Sequence, residues 1–238
     1  MSKWIIANFK MNKTSEECIK YAKEFKKLVK KCNNNIAVCP SFVCINEMAK
    51  VFKGTNVKVG AQNCSTDEKG AFTGEISVEM LKSVGASLVI VGHSERRTKF
   101  GETDQIVNQK IKMIQQCGLT PVVCLADDGS KGYEKNIKKQ IQTLFNDVNK
   151  NAQIIIAFEP LWAIGTGKTM DSENIRQVVD VIKKEAKAVL GKDVSVLYGG
   201  SAKVSNAKEL LAIENVDGLL VGGASLDAKG FSSMCFAF

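Results

Sequence analysis

The sequence predicts an α/β protein built as a single (β/α)8 barrel, on three observations: its length, its short apolar runs, and the helical periodicity between them. The chain has 238 residues, 45% of them hydrophobic, enough to bury a sizeable core and close to the roughly 250 residues typical of such a barrel. Apolar runs recur at Trp4 to Phe9, Ile36 to Cys39, Val57 to Ala61, Leu88 to Val91, Thr120 to Leu125, Ile154 to Phe158, Val194 to Tyr198 and Gly218 to Val221, which makes eight. Between them, sets such as Ile106, Ile111, Ile114 and Cys117, or Ile175, Val178, Val179, Ile182 and Ala186, recur with helical period. Strand-then-helix alternation argues for a parallel sheet, and closure is its economical form at eight strands. With only 3 Pro and no low-complexity stretch, nothing marks a linker, so one domain is expected over residues 1–238.

In such a barrel, function collects where the strands end, so the residues after each run form one spatial set. The first run leads into Asn8 and Lys10, and the segment behind it carries Cys18, Ala22, Phe25, Val29 and Cys32 on one stripe. Lys20, Lys23, Lys26, Lys27, Lys30 and Lys31 lie opposite, the pattern of an outer helix packed on a sheet with a solvated face. The third run leads into Gln62 and Asn63 and then a long loop, NCSTDEKGAFTGE, in which Ala71 and Phe72 read as a pair to be buried. The fourth leads into His93, the only histidine, followed by Ser94-Glu95-Arg96-Arg97, which starts a helix; its dipole disfavours an imidazolium. The fifth ends near Cys124, expected to pack.

The sixth run is buried on both faces and carries a single carboxylate, Glu159, at its exit. Pro160 is expected to stop the strand there, ahead of a loop in which Trp162, Gly165, Thr166, Gly167 and Lys168 precede a helix capped near Asp171 or Ser172. A base thus stands beside a lid. The seventh run leads into Gly199, Gly200 and Ser201, the eighth into Gly222 and Gly223. Backbone amides of Gly165, Ser201, Gly222 and Gly223 are the expected phosphate cradle, because glycine lets the main chain approach an anion and a short helix after the eighth strand adds its positive end. GTGKT at 165–169 is not a nucleotide loop, since the GxxxxGK[ST] spacing is missing.

NFKMN, GAFTGE, VGHSERR, AFEPLWAIGTGK, YGGS and LLVGGAS together span the chain, and in this order the set resembles the triosephosphate isomerase family, whose fold is the TIM barrel. The resemblance implies an aldose–ketose isomerase of glycolysis and gluconeogenesis. It would interconvert dihydroxyacetone phosphate and D-glyceraldehyde 3-phosphate through an enediolate, with no cofactor and no metal. Moving a carbonyl one carbon along requires a base, an electrophile and a clamp on the phosphate. Glu159 is the expected base and His93, as a neutral imidazole, the expected electrophile. This pairing is the settled assignment for the family and is carried over by resemblance. Lys10, with Asn8 beside it, is expected to stabilise charge on the phosphate and on the enediolate oxygen. The resemblance also implies that Glu95 pairs with Lys10, that residues 160–168 close over the substrate, and that Thr73 docks beside the partner's Lys10 and Glu95 in a homodimer. One segment departs from the family pattern: Cys124-Leu125-Ala126-Asp127 stands where Cys-Ile/Val-Gly-Glu is usual. Asp127 then replaces the glutamate that supports the lid tryptophan, here Trp162.

Composition narrows the partners. Eight cysteines without a CxxC pair or a Cys/His cluster indicate neither a zinc site nor a disulfide framework. No run approaches membrane-spanning length, and the apolar patch at the start is too short for a signal sequence, so a soluble cytoplasmic protein is expected. The net charge of +8 raises nucleic acid as a partner, but the basic residues lie on an outer helix face and aromatic content is only 7%, which argues against it. Two rivals remain: another phosphate-binding barrel acting on a different sugar phosphate, and a catalytically degraded relative retained for anion binding or protein interaction.

Overall fold

The computed structural model describes residues 2–127, 132–161 and 170–238. Its strands are β1 (Trp4–Asn8), β2 (Asn35–Cys39), β3 (Val57–Ala61), β4 (Leu88–Val91), β5 (Thr120–Asp127), β6 (Ile155–Pro160), β7 (Ser195–Tyr198) and β8 (Gly218–Val221). All pair in parallel, in chain order, and Trp4 to Ala7 of β1 register with Gly218 to Val221 of β8, closing the barrel. The helices are α1 (Ser15–Leu28), α2 (Ile45–Phe52), α3 (Val78–Ser83), α4 (Ser94–Phe100), α5 (Asp104–Gln116), α6 (Tyr133–Leu144), α7 (Ser172–Leu190), α8 (Ala207–Ala212) and α9 (Ala228–Cys235).

The period-two alternation of strand side chains divides the core into two shells. Ile6, Cys39, Ile90, Cys124, Ala157 and Leu197 fill the barrel interior, while Ile5, Val38, Val89, Val123 and Ile156 point outward under the helices. Helix α1 shows why the outer shell forms. Thr14 and Glu17 make a reciprocal capping box, Cys18, Tyr21, Ala22 and Phe25 are buried, and the lysines of the opposite face are exposed.

Several boundaries move. β5 runs past Leu125 to Asp127, and β6 carries Glu159 and Pro160 as its last residues, with Asp127 registered on Pro160. The strand ends at Pro160, as expected, and takes in Glu159 and the proline itself, because at a terminal position the missing N–H costs the ladder little. On α5 the buried stripe is Val107, Ile111 and Ile114, with Ile106 only half-buried. The reason lies in two polar residues: Asn108 and Lys110 are themselves buried on this helix, rotating its inward face from the one that apolar spacing alone implies.

Candidate active site

Lys10 follows β1 in a left-handed conformation, φ 53°, which a non-glycine residue adopts only when its surroundings hold it there. Both of its peptide groups are tied. Its N–H donates to Asn8 Oδ1 at 3.0 Å, and Gln62 Nε2, from the end of β3, donates to the carbonyls of Lys10 and Cys39, each at 2.9 Å. The ammonium so aimed donates to Glu95 Oε1 at 2.6 Å. Burial alone would push the Glu95 carboxyl up, but the Lys10 hydrogen bond and charge outweigh it and hold the group below the ordinary glutamate range.

His93 is the N-cap of α4, and its Nδ1 accepts the backbone N–H of Glu95 at 3.1 Å. With Nδ1 accepting, the proton of a neutral ring sits on Nε2. The chain reaches this cap through Gly92, whose φ of 70° suits glycine, and a side chain there would press on Val107. Arg97 fastens the same corner, donating to the Gly92 carbonyl at 2.7 Å, to Asp104 at 2.6 Å and to the Cys124 carbonyl of β5 at 3.3 Å.

Glu159 is 1% exposed. Its Oε1 lies 2.9 Å from His93 Nε2, and its Oε2 accepts the Ser94 amide at the start of α4 at 2.8 Å. A carboxyl oxygen at a helix N-terminus accepts an amide that has no partner within the helix. Cys124 lies in the barrel interior beneath it. Burial, reinforced by the Glu159 charge, keeps its thiol well above the ordinary range, consistent with a packing role.

Asn8, Lys10, His93, Glu159, Ser201, Gly222 and Gly223 all line one cavity of about 340 Å³ at the C-terminal mouth of the barrel. The structure therefore brings together all the described residues expected to bind or transform substrate. A Cβ on Gly222 would lie 3.3 Å from Lys10 Cε, so glycine there admits the lysine stem, whereas the space in front of Gly223 is open. The short helix after β8 is a 3-10 turn, Gly223–Leu226. Trp162, Gly165, Thr166, Gly167 and Lys168 lie outside the described residues. Asp127 is buried and shares a cavity of about 220 Å³ with Tyr133, Phe158 and Met170.

Thr73 does not line this cavity and lies in a loop exposed from Glu68 to Glu75. Ala71 and Phe72 are not buried as expected: both are exposed, Phe72 by 46%. No group of three or more metal-ligating side chains and no helix long and apolar enough to cross a membrane occur among the described residues. What the spacing of residues did not disclose is the work of Gln62, Ser94 and Arg97. Gln62 shows in the sequence as a polar strand exit, but its target is a carbonyl and carbonyls leave no trace in a sequence.

A closed parallel barrel with a carboxylate, an imidazole and a lysine at one mouth, beside a glycine-rich pair of turns, defines a barrel enzyme equipped for proton transfer on a small anion. Comparison with known proteins gives this class its family. A family model described as triosephosphate isomerase matches residues 3–238. A triosephosphate isomerase of Clostridium botulinum (strain Loch Maree / Type A3) is 43% identical over 240 residues, covering 97% of each chain. One from Alkaliphilus oremlandii (strain OhILAs) is 43% identical over 243 residues, 97% of this chain and 98% of that one. The crystal structure of triosephosphate isomerase from Bartonella henselae superposes with a TM-score of 0.88 at 32% identity, over 100% of this chain and 99% of that one. The chain belongs to the triosephosphate isomerase family.

Proposed function

We propose that this chain interconverts dihydroxyacetone phosphate and D-glyceraldehyde 3-phosphate, with Glu159 as base, His93 as electrophile and Lys10 as the charge that steadies both phosphate and enediolate. The observation that carries this reading is the contact between Glu159 and His93 Nε2 at 2.9 Å on the wall of a cavity that also holds Lys10 and the Ser201 and Gly222-Gly223 turns. Both groups are engaged with each other and with the start of α4, so the arrangement is a resting one. On substrate binding Glu159 leaves the Ser94 amide and takes a proton from the carbon next to the carbonyl. His93 Nε2–H, released from Glu159, gives its proton to the carbonyl oxygen and takes one back from the neighbouring hydroxyl, while Glu159 returns the carbon-bound proton to the carbon that bore the carbonyl, completing the aldose–ketose exchange. Lys10 faces the oxygens that gain charge, with Glu95 keeping its ammonium aligned. The phosphate rests against the amides of Ser201, Gly222 and Gly223, with residues 160–168 as the covering lid.

The same reading extends to the assembly. One catalytic domain works in the cytoplasm as a homodimer, without cofactor or metal and without a nucleic-acid or membrane partner. A second cavity, about 270 Å³, opens beside the first and is lined by Lys10, Glu95, Met11, Phe42 and Phe100. Met11 is 97% and Phe100 67% exposed, and apolar surface of this kind beside a polar wall suits a protein contact. The exposed Thr73 loop of a second copy is its proposed occupant. A coupled assay with D-glyceraldehyde 3-phosphate tests the central claim. Turnover that falls in parallel for the Lys10→Met, His93→Gln and Glu159→Gln variants supports it, and activity on another sugar phosphate alone selects the rival barrel chemistry.

A further inference from the structure

The phosphate cradle contains one charged residue to which no role has been given. Lys203 lines the same cavity as Lys10, His93, Glu159 and Ser201, two positions beyond Ser201 in the turn that follows β7. Its side chain is exposed, and its ammonium has no acidic partner among the described residues. The turn that presents it is fixed by one side chain: Asn206 Oδ1 accepts the Lys203 N–H at 2.7 Å, and Asn206 Nδ2 donates to the Ser201 carbonyl at 3.0 Å. Lys203 and the Ser201 amide are thus held as one unit.

The charge balance of the cavity gives this lysine its work. Among the described residues, the charged side chains lining it are Lys10, Glu159 and Lys203, and Lys10 is spoken for by Glu95 at 2.6 Å. Lys10, Glu95 and Glu159 together sum to one negative charge. A phosphate dianion approaching that set alone meets net repulsion. Lys203 restores neutrality, and it does so at the rim, where an incoming anion passes before it reaches the buried base.

We infer that Lys203 is a substrate-positioning residue for the phosphate end, drawing the dianion into the mouth and holding it against the Ser201 turn. The inference rests on the isomerase reading above for the identity of the substrate, but only on the geometry of the turn for the anion site itself. An exposed single charge acting on a dianion across a few ångströms of water changes capture by roughly three- to tenfold at low ionic strength, and the effect fades as salt screens it.

The test measures Lys203→Gln, Lys203→Glu and Lys203→Arg beside the unaltered protein at low and at moderate salt. Lys203→Gln is expected to lower kcat/KM about three- to tenfold at low salt, with the loss carried by KM, and to flatten the dependence of log kcat/KM on ionic strength. Lys203→Glu loses more, and Lys203→Arg recovers most of it. Inorganic phosphate, titrated calorimetrically, should bind the Gln variant more weakly by a similar factor. That titration needs no turnover, so it decides the role of Lys203 even if the unaltered protein fails to isomerise triose phosphates. Unchanged phosphate affinity and an unchanged salt slope in both neutral and acidic variants overturn the inference. So does a loss confined to kcat, which would mark a disturbed turn instead of a missing charge.

Discussion

At Lys10 a left-handed backbone costs on the order of 1–3 kcal/mol for a non-glycine residue, and the two hydrogen bonds that its peptide groups make, to Asn8 Oδ1 and from Gln62 Nε2, offset it. Removing the Gln62 amide leaves the Lys10 and Cys39 carbonyls without that donor, so Gln62→Leu is expected to lower kcat about 10-fold or more and stability by about 1–3 kcal/mol. Steady-state kinetics beside urea unfolding check it, and a variant that loses stability but keeps kcat would show that the lysine needs no such clamp. Glu159→Gln isolates the chemistry from the fold. The amide matches the carboxylate in shape yet accepts no proton, so activity should fall about 10²- to 10⁴-fold while the circular dichroism spectrum stays as it was. Near-normal kcat with that spectrum would remove Glu159 from the mechanism. Polar site residues at strand ends, Lys10, His93 and Glu159 among them, were legible because barrel topology converts sequence position into spatial position. Gln62 was legible only as a polar residue: its role depends on a φ angle and two carbonyls that no side-chain pattern reports.

Between elements, the corner of α4 and α5 holds a charge cluster that apolar periodicity could not foretell. Glu102 Oε1 accepts Arg96 Nε and Lys110 Nζ, each at 2.5 Å, and Lys110 also reaches Asn63 Oδ1 at 2.7 Å at the root of the Thr73 loop. This ties α4, which carries His93, to the loop. Lys110 is only 5% exposed, so on sequence grounds it belongs to a solvated stripe, and only its buried acid explains its inward turn. The strands were legible to within a few residues, since parallel strands covered on both faces read as unbroken apolar runs. The register of α5 was not, because its inward face mixes apolar residues with a paired charge. Burial alone would push the Glu102 carboxyl up, but hydrogen bonds from Lys110 and Arg96, with their charges, hold it below the ordinary glutamate range. A depressed folded value means stability that is present above the unfolded value of about 4.3 and is lost as pH falls through the folded one. Glu102→Gln should therefore cost about 3–5 kcal/mol near neutrality, where it strands the Lys110 charge. The gap to the unaltered protein should narrow as pH drops below about 4. Urea titrations at fixed protein concentration across that range measure it, and a gap that does not change with pH would mean that Glu102 contributes shape, not charge.

At the scale of the whole molecule, several large apolar side chains among the described residues stay exposed. Met11, Val43 and Phe100 are 97%, 77% and 67% exposed, and Phe72 at the loop is 46% exposed. Met11 and Phe100 line the cavity that shares Asn8, Lys10 and His93 with the catalytic mouth. If a second copy's loop fills that cavity, association excludes water from the Lys10–Glu95 pair and strengthens the alignment on which the reaction depends. A monomer would then be poorly active. Thr73→Glu tests the coupling directly. In the proposed dimer it would set a carboxylate at the loop tip beside the partner's Glu95, where like charges losing solvent repel. The expected result is a dissociation constant raised by about 100-fold or more, following from roughly 3 kcal/mol of lost association energy, with activity that rises with protein concentration as dimer re-forms. Sedimentation velocity and the isomerase assay are to be run over the same concentration series. A dimer that stays intact, or a monomer with full kcat, would separate the loop from the active site and leave Lys10 to be aligned by its own chain alone.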